Sequence, residues 1–160
     1  MKIMKFEIEM ENGKIMKGEL YPDIAPITVD NFVNLIENHF YDELIFHRVI
    51  AGFMIQGGGY DRNLKEKDCP SIKGEFSSNG VENSLLHTRG VLSMARTMIK
   101  DSASSQFFIM HQDAPHLDGE YAAFGKITEG LDVIDEIANT PTGFQDVPLQ
   151  MQVIKTMRLL

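Results

Sequence analysis

Arg48 and Gln56 stand in an otherwise largely apolar run, Ile45-Phe46-His47-Arg48-Val49-Ile50-Ala51-Gly52-Phe53-Met54-Ile55-Gln56-Gly57-Gly58-Gly59. The run reads as two short strands joined at Ala51-Gly52. A guanidinium or amide buried without a partner is costly, so both heads are expected to reach an open site. Two further strand-like runs carry a few polar groups in the same way: Gly90-Val91-Leu92-Ser93-Met94-Ala95-Arg96 and Ser104-Ser105-Gln106-Phe107-Phe108-Ile109. The three runs are expected to converge on one groove. Read singly, Arg48 is more often a surface or paired arginine than a catalyst, and Phe53, Met54 and Phe108 are more often core residues. Arg48 stays charged and directs several donors in one plane, which lysine does not imitate.

Other chemistries fit less well. Gly57-Gly58-Gly59 lacks the lysine and hydroxyl of a phosphate loop and is followed by no helix, so it reads as a flexible turn. The spacing of His111, Asp113 and His116 matches no helical pair of metal ligands. Ser102-Ala103-Ser104-Ser105 is not set in a Gly-x-Ser-x-Gly elbow and reads as a polar loop. His47 precedes Arg48 on a strand, so its ring should face away from the groove, into packing. His39 and His87 read as ordinary loop residues.

Holding these groups in place requires a scaffold of strands. Met4, Phe6, Ile8 and Met10 alternate with charged residues, and Asn12-Gly13 then signals a hairpin whose return strand runs from about Lys14 to Leu20. After Ala25-Pro26, the positions Val29, Phe32, Val33 and Ile36 lie on one face of a helix that closes near Asn38. Residues 60–90 show no period and read as long surface loops with one short strand near Ile72 to Glu75, a length that often serves as the wall of a binding site. Strands follow at Val91–Ala95, Gln106–Met110 and Ala122–Ile127. A second helix carries Leu131, Ile134, Ile137 and Ala138, and a closing strand spans Met151–Leu159. Many short strands with only two helices point to a β-barrel or sandwich, and a barrel disposes of its edges best.

At 160 residues and 18.1 kDa the chain fits one domain, expected to span 1–160. A formal net charge of −8 opposes attraction to phosphate backbones and anionic membranes, so neither nucleic acid nor membrane is an expected partner. The single cysteine, Cys69, rules out an internal disulfide framework and fits a reducing compartment. The N-terminal residues lack the apolar core of a secretory signal, and no apolar run could cross a bilayer; a cytoplasmic location is the expectation.

Phe46-His47-Arg48-Val49-Ile50, Gly52-Phe53-Met54-Ile55-Gln56-Gly57-Gly58, Leu92-Ser93-Met94-Ala95-Arg96, Ser104-Ser105-Gln106-Phe107-Phe108-Ile109, Leu117-Asp118-Gly119 and Phe124-Gly125-Lys126 together resemble the signature blocks of the cyclophilins, the bacterial members in particular. The resemblance runs from the first hairpin to the last strand. It implies a mainly β fold, a closed eight-stranded antiparallel barrel with an α-helix at each end, and peptidyl-prolyl cis-trans isomerase activity on proline-containing peptides and unfolded proteins, by a monomer without metal or cofactor. It also implies residue roles. Arg48 would stabilise the twisted amide. Phe53, Met54, Phe108 and Leu117 would form an apolar slot for the proline ring, and Gln56 and Gln106 would bond substrate backbone or orient Arg48. Ala95 and Arg96 would line the path of the residues before proline; apart from the resemblance, the charge of Arg96 alone suggests a tilt toward acidic flanking residues. His116 stands where many eukaryotic members carry a tryptophan and Tyr121 where many carry a histidine, so these rim residues imply weak cyclosporin binding with catalysis intact. The competing expectation is a noncatalytic proline-peptide-binding module or holdase using the same groove; the presence of Arg48 argues for catalysis.

Overall fold

The structure is a computed structural model that describes residues 2–160. Eight strands are joined in one antiparallel sheet: β1 (Met4–Met10), β2 (Ile15–Leu20), β3 (Arg48–Ile50), β4 (Met54–Gly57), β5 (Val91–Met94), β6 (Phe107–Met110), β7 (Ala123–Glu129) and β8 (Ile154–Leu159), in the order β3-β4-β6-β5-β7-β2-β1-β8. The first hairpin forms as its alternation and its Asn12-Gly13 turn require, with Met4 opposite Leu20.

The sheet curls into a barrel without a full ladder between its ends. The seam is made by the segments just before β3 and β8: Ile45 bridges Val153, and the Phe46 N–H donates to the Gln152 carbonyl at 3.0 Å. The expected eight strands and two helices are present, and the closure is a stitched seam. β8 starts at Ile154, later than expected, because residues 151–153 belong to that seam. No strand forms at 72–75; the Ile72 N–H donates to the Ala103 carbonyl, but no ladder follows.

Helix α1 (Pro26–Glu37) follows the Leu20 end of β2 and drives Phe32 into the barrel. There the ring meets Phe124, Phe107 and Phe6 edge-on at 4.9, 5.4 and 5.7 Å, an arrangement that aromatic quadrupoles favour. Helix α2 (Leu131–Ala138) seals the opposite end, where Gly130, at φ 89°, lies against the Ile15 carbonyl at the start of β2. Among the described residues no helix is long and apolar enough to cross a membrane.

Strand alternation divides the apolar residues between two clusters. Leu92, Met94, Phe107, Ile109 and Ile55 point into the barrel core around Phe32. Their neighbours Val91, Phe108, Met110 and Met54 point outward, where with Leu117, Ala114 and Ala123 they form a smaller cluster on the barrel's outer face. That second cluster is the floor of the groove.

Candidate functional site

Every side chain proposed for the site lines a single open cavity of about 390 Å³, Gln106 excepted. Gln106 lines the adjoining cavity of about 330 Å³, which shares Gln56, Ala95 and Arg96 with the first. The three expected runs therefore converge, through β4 pairing with β6 and β6 with β5.

The cation is positioned by register. Arg48 on β3 lies directly opposite Gln56 on β4, and its Nη1 donates to Gln56 Oε1 at 3.3 Å. Gln56 Nε2 in turn donates to Gln106 Oε1 at 3.0 Å. The Gln106 acceptor holds the Gln56 amide so that its oxygen faces the guanidinium. Gly59 permits this relay: a Cβ there would lie 2.4 Å from Gln106 Cγ. The glycine run is thus a closely packed seat, and Gly57 likewise abuts the Ile45 carbonyl at 2.7 Å from an ideal Cβ, so the flexible-turn expectation is corrected. Among the described residues no carboxylate pairs with Arg48, which leaves its charge facing an open cavity.

Beside the cation is an apolar slot. Met54, Phe108 and Leu117 are buried, while Phe53 and Tyr121 remain half-open at its lip. Tyr121 meets Phe108 edge-on at 5.7 Å, and the exposed His116 ring stacks on Phe53 at 5.9 Å. Arg96 lines the cavity as expected and is tied to its wall. Its guanidinium lies over the Phe76 and Tyr121 rings, at 4.8 and 4.7 Å, and it donates to the Glu120 and Thr97 carbonyls. Held by these contacts, Arg96 braces the Tyr121 wall while its charge still lines the cavity. The Ala95 N–H is also committed, to the Gln106 carbonyl at 3.0 Å.

His47 faces away from the groove as expected and packs on Tyr60 at 4.5 Å, with Nδ1 buried and unpartnered. Burial, helped by the Arg48 charge, lowers its pKa from 6.5 to about 4. A folded-state pKa below the unfolded one makes the neutral ring the stable form. Folding stability should therefore fall as pH drops from 6.5 to about 4, by as much as about 3 kcal/mol at the lower limit. Urea midpoints measured across this range should slope less in His47→Phe than in the natural protein; equal slopes would refute the assignment.

Two residues important to the site's surroundings escaped the sequence reading. His87 is 1% exposed and fully bonded, contrary to the expectation of an ordinary loop residue. Glu75, at 3% exposure, reaches from the long loop to the N-terminus of α1. A local signal existed for the second: α1 begins Ala25-Pro26 with no side-chain cap of its own and no acidic residue in its first turn.

Residues 4–159 match the family model described as cyclophilin type peptidyl-prolyl cis-trans isomerase/CLD. A peptidyl-prolyl cis-trans isomerase of Acinetobacter baylyi is 51% identical over 142 residues, covering 82% of this chain and 73% of that protein. Peptidyl-prolyl cis-trans isomerase B of Escherichia coli is 41% identical over 86% of this chain and 88% of its own length. Among solved structures, a cyclophilin type peptidyl-prolyl cis-trans isomerase of Cryptosporidium parvum superimposes with a TM-score of 0.84 at 28% identity, covering 99% of this chain and 98% of that one. A second structure of the Cryptosporidium protein, in the presence of the dipeptide Ala-Pro, gives 0.82 at 29% identity, with 98% of both chains covered.

Proposed function

The chain belongs to the cyclophilin-type peptidyl-prolyl cis-trans isomerases, and we propose that it turns X–Pro bonds in the cavity where Arg48 faces the slot of Phe53, Met54, Phe108 and Leu117. The observation that carries this assignment of roles is the Gln106–Gln56–Arg48 relay, which holds a cation, paired with no carboxylate among the described residues, at the wall of a partly apolar cavity.

Rotation about an X–Pro bond breaks amide resonance at a cost of about 18–20 kcal/mol, without cleaving any bond. In the twisted state the prolyl nitrogen regains its lone pair. A guanidinium N–H held near that nitrogen gains a charge-assisted hydrogen bond that neither planar isomer offers, so the barrier falls. The slot grips the pyrrolidine ring while the preceding carbonyl swings. Met54 and Phe108 supply fixed apolar walls, and the Tyr121 wall is kept upright by Arg96. Nothing in the cycle needs a proton donor or a nucleophile. The scope extends to flexible proline-bearing segments of unfolded proteins, because the open cavity adjoins a second one across Gln56, Ala95 and Arg96.

The test is the cis-to-trans relaxation of a short Ala-Pro peptide followed with and without the protein. Acceleration in proportion to protein concentration supports the reading. An unchanged relaxation rate, with the peptide still bound, would replace it with the holding of proline segments. Cyclosporin in the same assay should inhibit only at concentrations well above that of the protein, since His116, not an indole, forms the rim against Phe53.

A further inference from the structure

We infer that His87 is a positioning residue for the proline slot, one that clamps both ends of the turn carrying His116 and Leu117 and backs the ring of Phe108. The inference rests on the isomerase reading of the groove.

His87 precedes β5 and is buried beneath the slot floor. Its main-chain carbonyl accepts the Ala114 N–H at 2.9 Å, at the residue just before the 3₁₀ turn Pro115–Leu117. Asp118, just after that turn, places one carboxylate oxygen 2.6 Å from the His87 main-chain N–H and 3.0 Å from its ring Nδ1. The turn that bears Leu117 is therefore fastened to one residue at entry and exit. The opposite ring nitrogen, Nε2, lies 2.8 Å from Ser93 Oγ. Ser93 is the cross-strand partner of Phe108, and the imidazole lies nearly parallel to the Phe108 ring, at 6.0 Å and 20°. Two walls of the slot, one from a turn and one from a strand, thus meet at a single imidazole.

Serine, histidine and aspartate at these distances have the order of a hydrolytic triad, but Ser93 is 0% exposed, so no substrate carbonyl reaches its hydroxyl. The arrangement acts as a strut. The neutral ring suits it: Nδ1–H donates to the Asp118 carboxylate, and Nε2 accepts the Ser93 hydroxyl proton. The groups facing the ring are Asp118 and His116 from the turn; Ser93 and Phe108, from the two strands, bring no charge. Burial lowers the His87 pKa below 6.5, opposed by Asp118 and assisted by His116. A proton added to Nε2 would turn that nitrogen from acceptor to donor and force the Ser93 hydroxyl to find another acceptor, loosening the Phe108 side of the strut.

His87→Phe keeps a flat ring against Phe108 and deletes both side-chain links. A slot that grips proline equally in planar and twisted states contributes uniform binding, so its loosening should raise KM about tenfold and change kcat about twofold or less. In the natural protein KM should also rise as pH falls through the lowered His87 pKa, below the ordinary imidazole range, and this rise should be absent from His87→Phe. A variant that folds and matches the natural KM and its pH profile would overturn the inference while leaving the isomerase reading standing; an inactive natural protein would instead remove that reading. Should His87→Phe not fold, NMR titration of the natural protein decides. Leu117 methyl and Phe108 ring signals that move with the His87 imidazole at one shared midpoint support the strut, and signals indifferent to it refute it.

Discussion

Arg48→Ala is expected to lower kcat/KM for an Ala-Pro peptide by about 10²–10³-fold, the usual cost of removing one preorganised donor aimed at charge that develops in the transition state. The loss should fall on kcat, because the guanidinium gains its partner only once the amide twists; the proline slot, which does not include Arg48, should keep KM within a few-fold. The fold should be spared. Arg48 is an exposed residue of a three-residue strand at the end of the sheet order, and among the described residues its side chain makes one hydrogen bond, to Gln56. Arg48→Lys should recover little, since a single ammonium on a flexible stem cannot both hold Gln56 and point at the nitrogen. Gln56→Ala should fall between the natural protein and Arg48→Ala, as it frees the arginine without removing it. Single-turnover relaxation of the peptide separates the parameters. A kcat for Arg48→Ala within twofold of the natural protein would leave the slot in place and remove the cation from the mechanism.

What the sequence could and could not disclose follows from the range over which each signal acts. Alternation in Met4–Met10 and the turn at Asn12-Gly13 are local, and the hairpin formed as they require. The same alternation at Phe107-Phe108-Ile109 separated core from groove, so the slot was legible once a period of two was applied. Contacts between distant segments were not. Nothing in the sequence near Arg96 points to Phe76 and Tyr121, whose rings its guanidinium lies over, and the glycines after Gln56 read as loose although Phe46, Tyr41 and Gln106 pack on them. His87 is the sharpest case: its neighbours Leu86 and Thr88 carry no period, and its burial depends on partners that lie elsewhere in the chain. A residue in an aperiodic stretch can be as buried as any strand residue, provided that its polar atoms find partners from other elements.

The long loop between β4 and β5 poses the same problem at larger scale, and Glu75→Ala is expected to show what holds it. The Glu75 carboxylate oxygen accepts the Thr28 N–H at 2.6 Å and the Thr28 hydroxyl at 2.7 Å, in a site where Thr28 is 0% exposed. Thr28 lies in the first turn of α1, whose leading N–H groups have no partner within the helix and whose dipole favours negative charge. Removing the carboxylate strands a buried N–H and hydroxyl together, at a combined cost of about 2–4 kcal/mol. For a chain of this size that is a drop in Tm of roughly 6–12 °C. Glu75→Gln, which keeps an acceptor oxygen and gives up the charge, should lose about 1 kcal/mol. The kcat at a temperature where Glu75→Ala is fully folded should stay near that of the natural protein, since the Glu75 carboxylate bonds Thr28 of α1 and Glu75 does not line the cavity. Urea unfolding of the three proteins reads the ladder directly. A Glu75→Ala midpoint indistinguishable from the natural one would mean that water satisfies Thr28, and that the loop is pinned instead by Asn79, Asn83 and Asp101, whose side chains bond its backbone at Gly74 and Glu75.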